Sequence, residues 1–211
     1  MKLLKHYFIA TIILVGFNAK AQDFREKFNF GVKAGVNFAN VYDREGEDFV
    51  ADFKTGFAGG IFATIPLGKF FGIQPEIMFS QKGMKATGSI GLVDYSLKST
   101  RSYVDIPLLV AIRPADFISI LVGPQFAFQV ATKDKYEFGN VSSTQTDTED
   151  FENVNLRKNM FGAHLGLDIN INNLVISPRA ALDFQDNKGD GSSYRPRYKN
   201  YYFQVTVGYR F

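Results

Sequence analysis

The sequence predicts an all-β fold, an eight-stranded antiparallel up-and-down transmembrane β-barrel. Three observations predict it. Apolar residues recur at every second position in eight segments, the connections between these segments alternate between long and short, and a secretion signal precedes them. Hydrophobic residues make up 45% of the 211-residue chain, which excludes a disordered polypeptide.

The first 21 residues have the organisation of a cleavable signal peptide. Lys2 and Lys5 precede an apolar stretch that ends at Phe17, and Ala19 and Ala21 stand three and one positions before the predicted cleavage point. The stretch is too short for a membrane helix, which needs about 20 apolar residues. We therefore expect residues 1–21 to be a cleaved signal peptide and residues 22–211 to form the barrel domain.

Cleavage changes the charge of the chain. The full sequence has a formal net charge of +3, from 24 basic and 21 acidic residues, and the signal peptide removes Lys2, Lys5 and Lys20 with no acidic residue. The mature chain is then neutral, and a role in nucleic-acid binding loses its electrostatic basis. The chain has no cysteine, which excludes disulfides, thiol chemistry and lipid attachment through cysteine.

Alternation with a period of two residues predicts the strands. In the last segment, YYFQVTVGYRF, every odd-numbered position from Tyr201 to Phe211 is apolar or aromatic, and the positions between are mostly polar or small. This pattern is typical of a strand with one apolar face. The eight segments are residues 28–41, 53–67, 70–83, 101–112, 118–130, 161–170, 174–184 and 201–211.

The connections indicate how the strands are arranged. Long polar connections (43–52, 86–95, 134–155 and 187–197) alternate with short ones (Leu67–Lys69, Arg113–Asp116 and Asn172–Asn173). Membrane barrels of bacterial outer membranes have short periplasmic turns and longer outer loops. An even number of strands then places both chain ends on the periplasmic side.

A soluble β-sandwich would show the same alternation with its apolar faces inward. The segments here are longer than the usual 5 or 6 residues of soluble sheets and are sufficient for tilted strands to cross a bilayer. We therefore expect apolar faces toward lipid, with Tyr209 and Phe211 at the membrane interface. Lipid excludes open sheet edges, so the last strand must pair with the first.

Charged residues on the inward faces are expected to pair, because an isolated buried charge is costly. We expect His164 to face inward and form hydrogen bonds, without contacting Asp168. Prolines inside the segments predict local bulges. The basic inward residues are Lys33, Lys54, Lys82, Arg179 and Arg210, the acidic ones are Glu76, Asp105, Asp168 and Asp183, and the prolines are Pro75, Pro107, Pro124 and Pro178.

Several segments together resemble the PorT-like outer-membrane β-barrel family, whose barrels are similar in shape to OmpA and OmpX. The resemblance covers essentially the whole mature chain. It is carried by GVKAGVNFANV, GFAGGIFATIPL, GIQPEIMFSQKGMK, SYVDIPLLVAI and ISILVGPQFAFQV, of which QPEIMFSQKG and YVDIPLL are the most specific. It implies an eight-stranded barrel in the outer membrane of a Gram-negative bacterium. It also implies contact with the barrel-assembly machinery through the C-terminal strand ending in Phe211.

No catalytic, cofactor-binding or metal-ligating residues are predicted, and we expect a protein that is not an enzyme. His164 is the one histidine left after cleavage, and no trio of nucleophile, base and orienting group stands out. A single histidine without cysteine argues against zinc. The loop that begins at Asp186 has Lys188 and Arg197 where calcium ligands would stand.

Three functions remain open. The first is a non-enzymatic barrel with a side-chain-filled lumen and a structural or surface-interaction role, because eight strands leave an interior just wide enough for side chains. The second, implied by the PorT resemblance, is an accessory component of protein secretion or envelope assembly. The third is a small porin or a membrane-embedded enzyme. Expected partners are outer-membrane lipid and envelope proteins, and the acidic loop 134–155 is either solvated or a contact site.

Overall fold

A computed structural model describes residues 25–42, 51–90, 93–138, 141–147, 159–186 and 198–211. The predicted signal peptide and the predicted loop 187–197 lie outside these residues. The strands are β1 (Asn29–Tyr42), β2 (Ala51–Asp52), β3 (Lys54–Pro66), β4 (Phe71–Ile90), β5 (Val93–Ala115), β6 (Ile118–Phe138), β7 (Val141–Asp147), β8 (Asn159–Ile171), β9 (Leu174–Asp183) and β10 (Lys199–Arg210).

Eight of these strands form a closed antiparallel wall in the order β4-β3-β1-β10-β9-β8-β6-β5, and pairing of β5 with β4 completes the ring. The closing seam runs between β1 and β10, from Gly31 opposite Arg210 to Tyr42 opposite Lys199. The prediction of an eight-stranded up-and-down barrel is confirmed. The described part of the chain contains no helix long and apolar enough to cross a membrane.

The outer face of the wall is apolar, as the alternation predicts. Val36, Ile61 and Val205 are each about half exposed on this face, whereas their neighbours in sequence point into the lumen. Aromatic rings form a girdle at each end. Phe30, Phe211 and Tyr209 stack at the end of the short turns, with ring centroids 5.3 Å apart, and Tyr42, Tyr201 and Phe53 group at the opposite end.

The short turns lie where the sequence places them. Asn172 adopts a left-handed conformation with φ 54°, which a short polar side chain tolerates, and Gly68 has φ 137°. Asp116 and Phe117 form the turn between β5 and β6. These short turns define the periplasmic end of the barrel by the general rule for bacterial barrels.

The prolines interrupt the ladders without shifting the register. The β3–β4 pairing breaks off on either side of Pro75, and the β8–β9 pairing does so on either side of Pro178. Each ladder resumes in the same register, because a proline removes one donor without adding a residue. The predicted bulges at the four prolines are therefore wrong. Register shifts occur in the β5–β6 ladder instead, at Ser102/Tyr103 and Ile112/Ala115.

Two of the predicted long loops are wrong as well. The β4–β5 ladder continues to the pair Ile90–Val93 through residues 86–95, and β6 continues to Phe138. β7 then pairs with β6 between Thr132 and Phe138, inside the predicted loop 134–155. We call residues 84–90, 93–100 and 132–138, with β2 and β7, the extension. The extension lies above the hydrocarbon core, so no lipid-driven alternation marks its strands in the sequence.

The junction between wall and extension has two backbone irregularities at the same height. Gly83 on β4 has φ 138°, a conformation that side chains of L residues rarely adopt, and it pairs with Thr100. The register shift beside Ser102 lies two residues further along β5. Bulges bend a strand and increase its twist. The sheet therefore changes direction where it leaves the barrel.

Candidate functional site: the side-chain-filled lumen

The middle of the lumen holds a network of buried ion pairs. Lys33 Nζ donates to Glu76 Oε2 at 2.5 Å, and Arg179 Nη2 lies 3.3 Å from Glu76 Oε1 and 2.8 Å from Asp168 Oδ1. All four side chains are at most 1% exposed. Ser177 adds a hydroxyl hydrogen bond to Asp168 at 2.7 Å. Two cations and two carboxylates balance each other, which is what burial of charge requires.

This network connects opposite sides of the ring. β4, which carries Glu76, and β9, which carries Arg179, are four places apart in the eight-stranded order. Gln74 of β4 also donates to Asp168 of β8 at 3.0 Å. The contacts therefore cross the full width of the lumen.

A second layer surrounds Tyr202, which is 1% exposed. Its hydroxyl lies 2.7 Å from Gln125 Oε1, 3.4 Å from Asp105 Oδ2 and 2.7 Å from His164 Nε2. Gln125 Oε1 can only accept, so the hydroxyl donates to it and His164 Nε2 donates to the hydroxyl. Tyr202 on β10 and Asp105 on β5 face each other across the ring.

Lys82 completes this second layer. Its ammonium donates to Asp105 Oδ1 at 3.0 Å and lies 4.5 Å and 4.7 Å from the ring centroids of Tyr202 and Tyr103. Desolvated cation–π contacts of this kind add about 2 kcal/mol in favourable cases. Tyr103 in turn donates to Gln129 Oε1 at 3.2 Å. The layer is fully buried and joins aromatic rings to one ion pair.

The extracellular end of the lumen is closed by a third set of contacts. Arg101 Nε donates to the hydroxyl of Tyr198 at 2.8 Å, and both residues are at most 2% exposed. Ser99 donates to Asp134 at 2.7 Å, and Asn200 Nδ2 donates to Asp183 at 3.0 Å. Arg101 and Tyr198 again link β5 to the chain that enters β10.

The periplasmic end is rich in arginine. Arg210 Nη2 donates to Asn170 Oδ1 at 2.7 Å, and Arg113 donates to the carbonyls of Gly68 and Phe71 in the first short turn. A cavity of about 10 Å³ lies between these side chains, close to the volume of one water molecule. Arg113 thus ties β5 to the turn between β3 and β4.

Most of the predicted pairing of inward charges is confirmed. Lys33, Lys82 and Arg179 bind the carboxylates of Glu76, Asp105 and Asp168. Of the other three residues, Arg210 donates to the amide oxygen of Asn170 and Asp183 accepts from Asn200, and their pairing with an opposite charge stays a prediction. Lys54 is buried at the extracellular end of β3. Its pairing with a carboxylate stays a prediction.

His164 faces inward and is hydrogen bonded, as predicted, with Tyr202 as its partner. Sequence reasoning missed Tyr202, Tyr103 and Gln125 as members of the layer. Their inward position follows from the alternation, but contacts between strands that are far apart around the ring depend on the barrel stagger. The alternation alone carries no information on that stagger.

The arrangement offers little for chemistry on a substrate. The hydroxyl of Tyr202, the imidazole of His164 and the carboxylate of Asp105 are within hydrogen-bonding range, yet these residues are 1–3% exposed and enclosed by the wall. A general base must reach a bound substrate or a water next to it. Among the described residues, no group of three or more histidine, aspartate or glutamate side chains is placed to hold a metal ion. The geometry favours a structural role for the lumen.

A closed wall with an apolar exterior and a lumen filled by paired polar side chains defines a small integral membrane β-barrel. The family model of the outer membrane protein beta-barrel domain matches residues 20–185. The chain belongs to this family, and this places it in the outer membrane. The PorT-like branch within it stays a prediction.

Solved structures of outer membrane barrels are similar to this chain at low sequence identity. Ail, the attachment invasion locus protein of Yersinia pestis, is 17% identical, with 87% of this chain and 98% of Ail covered and a TM-score of 0.46. Neisserial surface protein A is 12% identical (86% and 97% covered, TM-score 0.46), and the outer membrane protease OmpT of Escherichia coli is 12% identical (87% and 94%, TM-score 0.41). No curated protein matches the sequence.

Proposed function

We propose that the protein is a non-enzymatic surface barrel, in which the plugged wall is an anchor and the extension is an interaction surface. The observation that carries the proposal is a difference in strand length. β4, β5 and β6 have 20, 23 and 21 residues, whereas β1, β3, β8, β9 and β10 have 10 to 14. About 9–11 residues suffice to cross the membrane. The additional residues of β4, β5 and β6 extend the sheet beyond the outer surface of the membrane.

The extension has properties that suit contact with another molecule. In the described part of the chain, β7 pairs with β6 on one side only, so its other edge presents backbone donors and acceptors. An open edge can pair with an extended segment of a partner. The wall below is held by three layers of cross-lumen contacts, so a rigid base supports the sheet. A rigid base lowers the entropic cost of binding.

The experiment exploits the absence of native cysteine. A photo-crosslinker is attached to a single cysteine at Ser96 in the extension, or at Lys69 in a periplasmic turn as the control, and cells are irradiated before the outer membranes are purified. The proposal expects adducts of defined mass from Ser96→Cys that are absent from Lys69→Cys. Equal labelling patterns at the two positions would count against a role for the extension.

A shortened variant tests the same idea without a crosslinker. Residues 86–97 are replaced by Asn-Gly, a dipeptide that suits a two-residue hairpin turn between Lys85 and Lys98. The wall ladder below is retained, so the variant should keep the heat-resistant gel mobility of a folded barrel and lose the partner. Retention of the partner by the folded variant would exclude residues 86–97 of the extension as the interaction surface and leave the β7 edge.

The two other functions have separate tests. Accessory participation in secretion, supported by the resemblance to the PorT-like family, predicts that deletion of the gene reduces specific exported proteins outside the cell. A porin function predicts sugar uptake into liposomes that contain the refolded protein. We expect no uptake above that of empty liposomes, because the ion pairs of Glu76 and Arg179 cross the lumen. Uptake that matches a general porin would contradict the plugged lumen.

A further inference from the structure

The outward face of the extension carries lysines in one cross-strand row. Lys85 on β4 pairs with Lys98 on β5, and Lys98 pairs with Lys135 on β6. Residues that are directly opposite in neighbouring strands point to the same face, with Cα atoms about 5 Å apart. Lys133, two residues from Lys135, is exposed on the same face. We call Lys85, Lys98 and Lys135 the lysine row.

The row continues the lipid-facing side of the wall. Lys85 and Phe79 are six positions apart on β4, as are Lys98 and Val104 on β5, and the two strands stay in register over these residues. Side chains alternate across a strand, so the lysines point away from the barrel axis as Phe79 and Val104 do. Any molecule that contacts them lies beside the barrel.

The height of the row corresponds to the headgroup layer. From Phe71, the first lipid-facing residue of β4, to Lys85, the rise is roughly 35 Å at about 3.3 Å per residue and a strand tilt of about 40°. The hydrocarbon core is about 30 Å thick, and the headgroups extend the bilayer to about 40–45 Å. A flexible lysine side chain therefore ends among the headgroups of the outer leaflet.

The charge carried by the described side chains on this face is unbalanced. On this face the structure describes four ammonium groups, those of the row and of Lys133, and two carboxylates: Asp52, whose backbone lies opposite that of Lys85 in the sheet, and Glu137, whose Oε1 accepts from Lys135 Nζ at 2.5 Å. The pKa of Glu137 lies below its ordinary value, chiefly because Lys135 donates a hydrogen bond to it and carries a positive charge. The charges of Lys85 and Lys98 lower it further. Like charges directly opposite each other are unfavourable in a sheet unless an anion lies between them.

We propose that the lysine row binds the phosphate-bearing headgroup of an outer-leaflet lipid. The position, the outward direction and the excess positive charge together fit a doubly phosphorylated headgroup that bridges neighbouring strands. Two flexible lysine side chains whose Cα atoms lie about 5 Å apart can contact one phosphate from two sides. The interaction concerns the base of the extension and is independent of any partner at its β7 edge.

The test compares two variants that lose the same charge. Lys85→Gln/Lys98→Gln removes two members of the row, and Lys27→Gln/Lys69→Gln removes two exposed lysines at the periplasmic end. Each purified, folded protein is titrated in detergent with phosphorylated lipid A or with its dephosphorylated form, and bound lipid is counted by native mass spectrometry. Because each lysine near an anionic surface contributes about a factor of 5, the row variant should bind phosphorylated lipid roughly 30-fold more weakly.

The expected pattern has three further parts. The affinity of the control variant for phosphorylated lipid stays within about twofold of that of the parent. The parent binds dephosphorylated lipid as weakly as the row variant binds phosphorylated lipid. Lys85→Arg/Lys98→Arg, which keeps both positive charges, binds phosphorylated lipid as the parent does. Equal losses in the row and control variants, or equal binding of the two lipids by the parent, would overturn the proposal. Equal affinities of the parent and the row variant for phosphorylated lipid would also overturn it. That result is expected if acidic residues of the same chain cover the row.

Discussion

The bilayer-spanning wall and the extension share the strands β4, β5 and β6 but differ in how much their ion pairs contribute to stability. In the wall, Glu76 bonds to Lys33 with both side chains 1% exposed, whereas in the extension Glu137 bonds to Lys135 at the same 2.5 Å with both side chains nearly half exposed. The wall depends on each such pair, because burial makes an unpaired charge costly. The extension does not depend on its exposed pair, because water solvates either charge when the pair is broken.

The largest expected effect comes from breaking a pair inside the wall. Glu76→Ala leaves Lys33 and Arg179 without their shared carboxylate, and we expect a loss of about 3–5 kcal/mol in the free energy of unfolding. Urea titration of the refolded protein in lipid vesicles measures this quantity. The matched change Glu137→Ala in the extension should leave the urea midpoint unchanged. Similar midpoints for the two variants would show that the lumen network does not stabilise the barrel.

A charge on the lipid face should have the next largest effect. Val205 is exposed on the outer face near the middle of β10, opposite Val36. Val205→Arg should cost about 2–4 kcal/mol of unfolding free energy, because arginine must leave water for hydrocarbon. Ser96→Arg in the extension is the control and should unfold as the parent does. If Val205→Arg were equally neutral, β10 would not face lipid at that height.

The junction itself can be tested at Gly83. An added Cβ would lie against the carbonyl of Ser99 in a backbone conformation that alanine disfavours, so Gly83→Ala should cost about 1–3 kcal/mol. Hydrogen exchange should accelerate in the extension more than in the wall. Gly68→Ala imposes similar strain in an open turn, with no atom within 4 Å of its Cβ, and should leave exchange in the extension unchanged. Equal hydrogen-exchange profiles of the Gly83→Ala and Gly68→Ala variants would mean that Gly83 does not define the junction.

The smallest effect concerns titration of Glu137. The hydrogen bond from Lys135 holds its pKa below the ordinary value of 4.5, so Lys135→Gln should raise the pKa toward that value. A carboxyl with a lowered pKa stabilises the folded state above its ordinary pKa, and this contribution is lost as the pH falls through the lowered value. Carbon-detected NMR of the Glu137 carboxyl reports the shift. An unchanged pKa in Lys135→Gln would show that this bond does not form in solution.

The same contrast explains what the sequence could predict. Lipid imposes a strict alternation on the wall, so the eight strands, the short turns at Gly68 and Asn172, and the outward Phe211 were all predictable. The extension was not, because strands with water on both sides can carry polar residues at every position, and residues 86–95 therefore resembled a loop. The register shift at Ser102/Tyr103 has no marker such as proline or glycine at that point.

Within the lumen, the sequence predicted which charges face inward but only part of their pairing. Lys82 and Asp105 occupy neighbouring strands, and such partners follow from the order of the strands. Tyr202 and Asp105 are on opposite sides of the ring, and their contact depends on the stagger of the closed barrel. Contacts of this second kind become visible only in the three-dimensional structure. The recognition of Phe211 by the assembly machinery stays a prediction.

The seam between β1 and β10 joins residues from the two ends of the barrel sequence. A fragment that lacks either β1 or β10 leaves two strand edges unpaired, which hydrocarbon does not tolerate. All eight strands of the wall must therefore be present before the barrel can close in hydrocarbon. Until the seam closes, the edges of β1 and β10 present unpaired backbone groups that favour aggregation, so closure of the seam and entry into lipid are coupled steps.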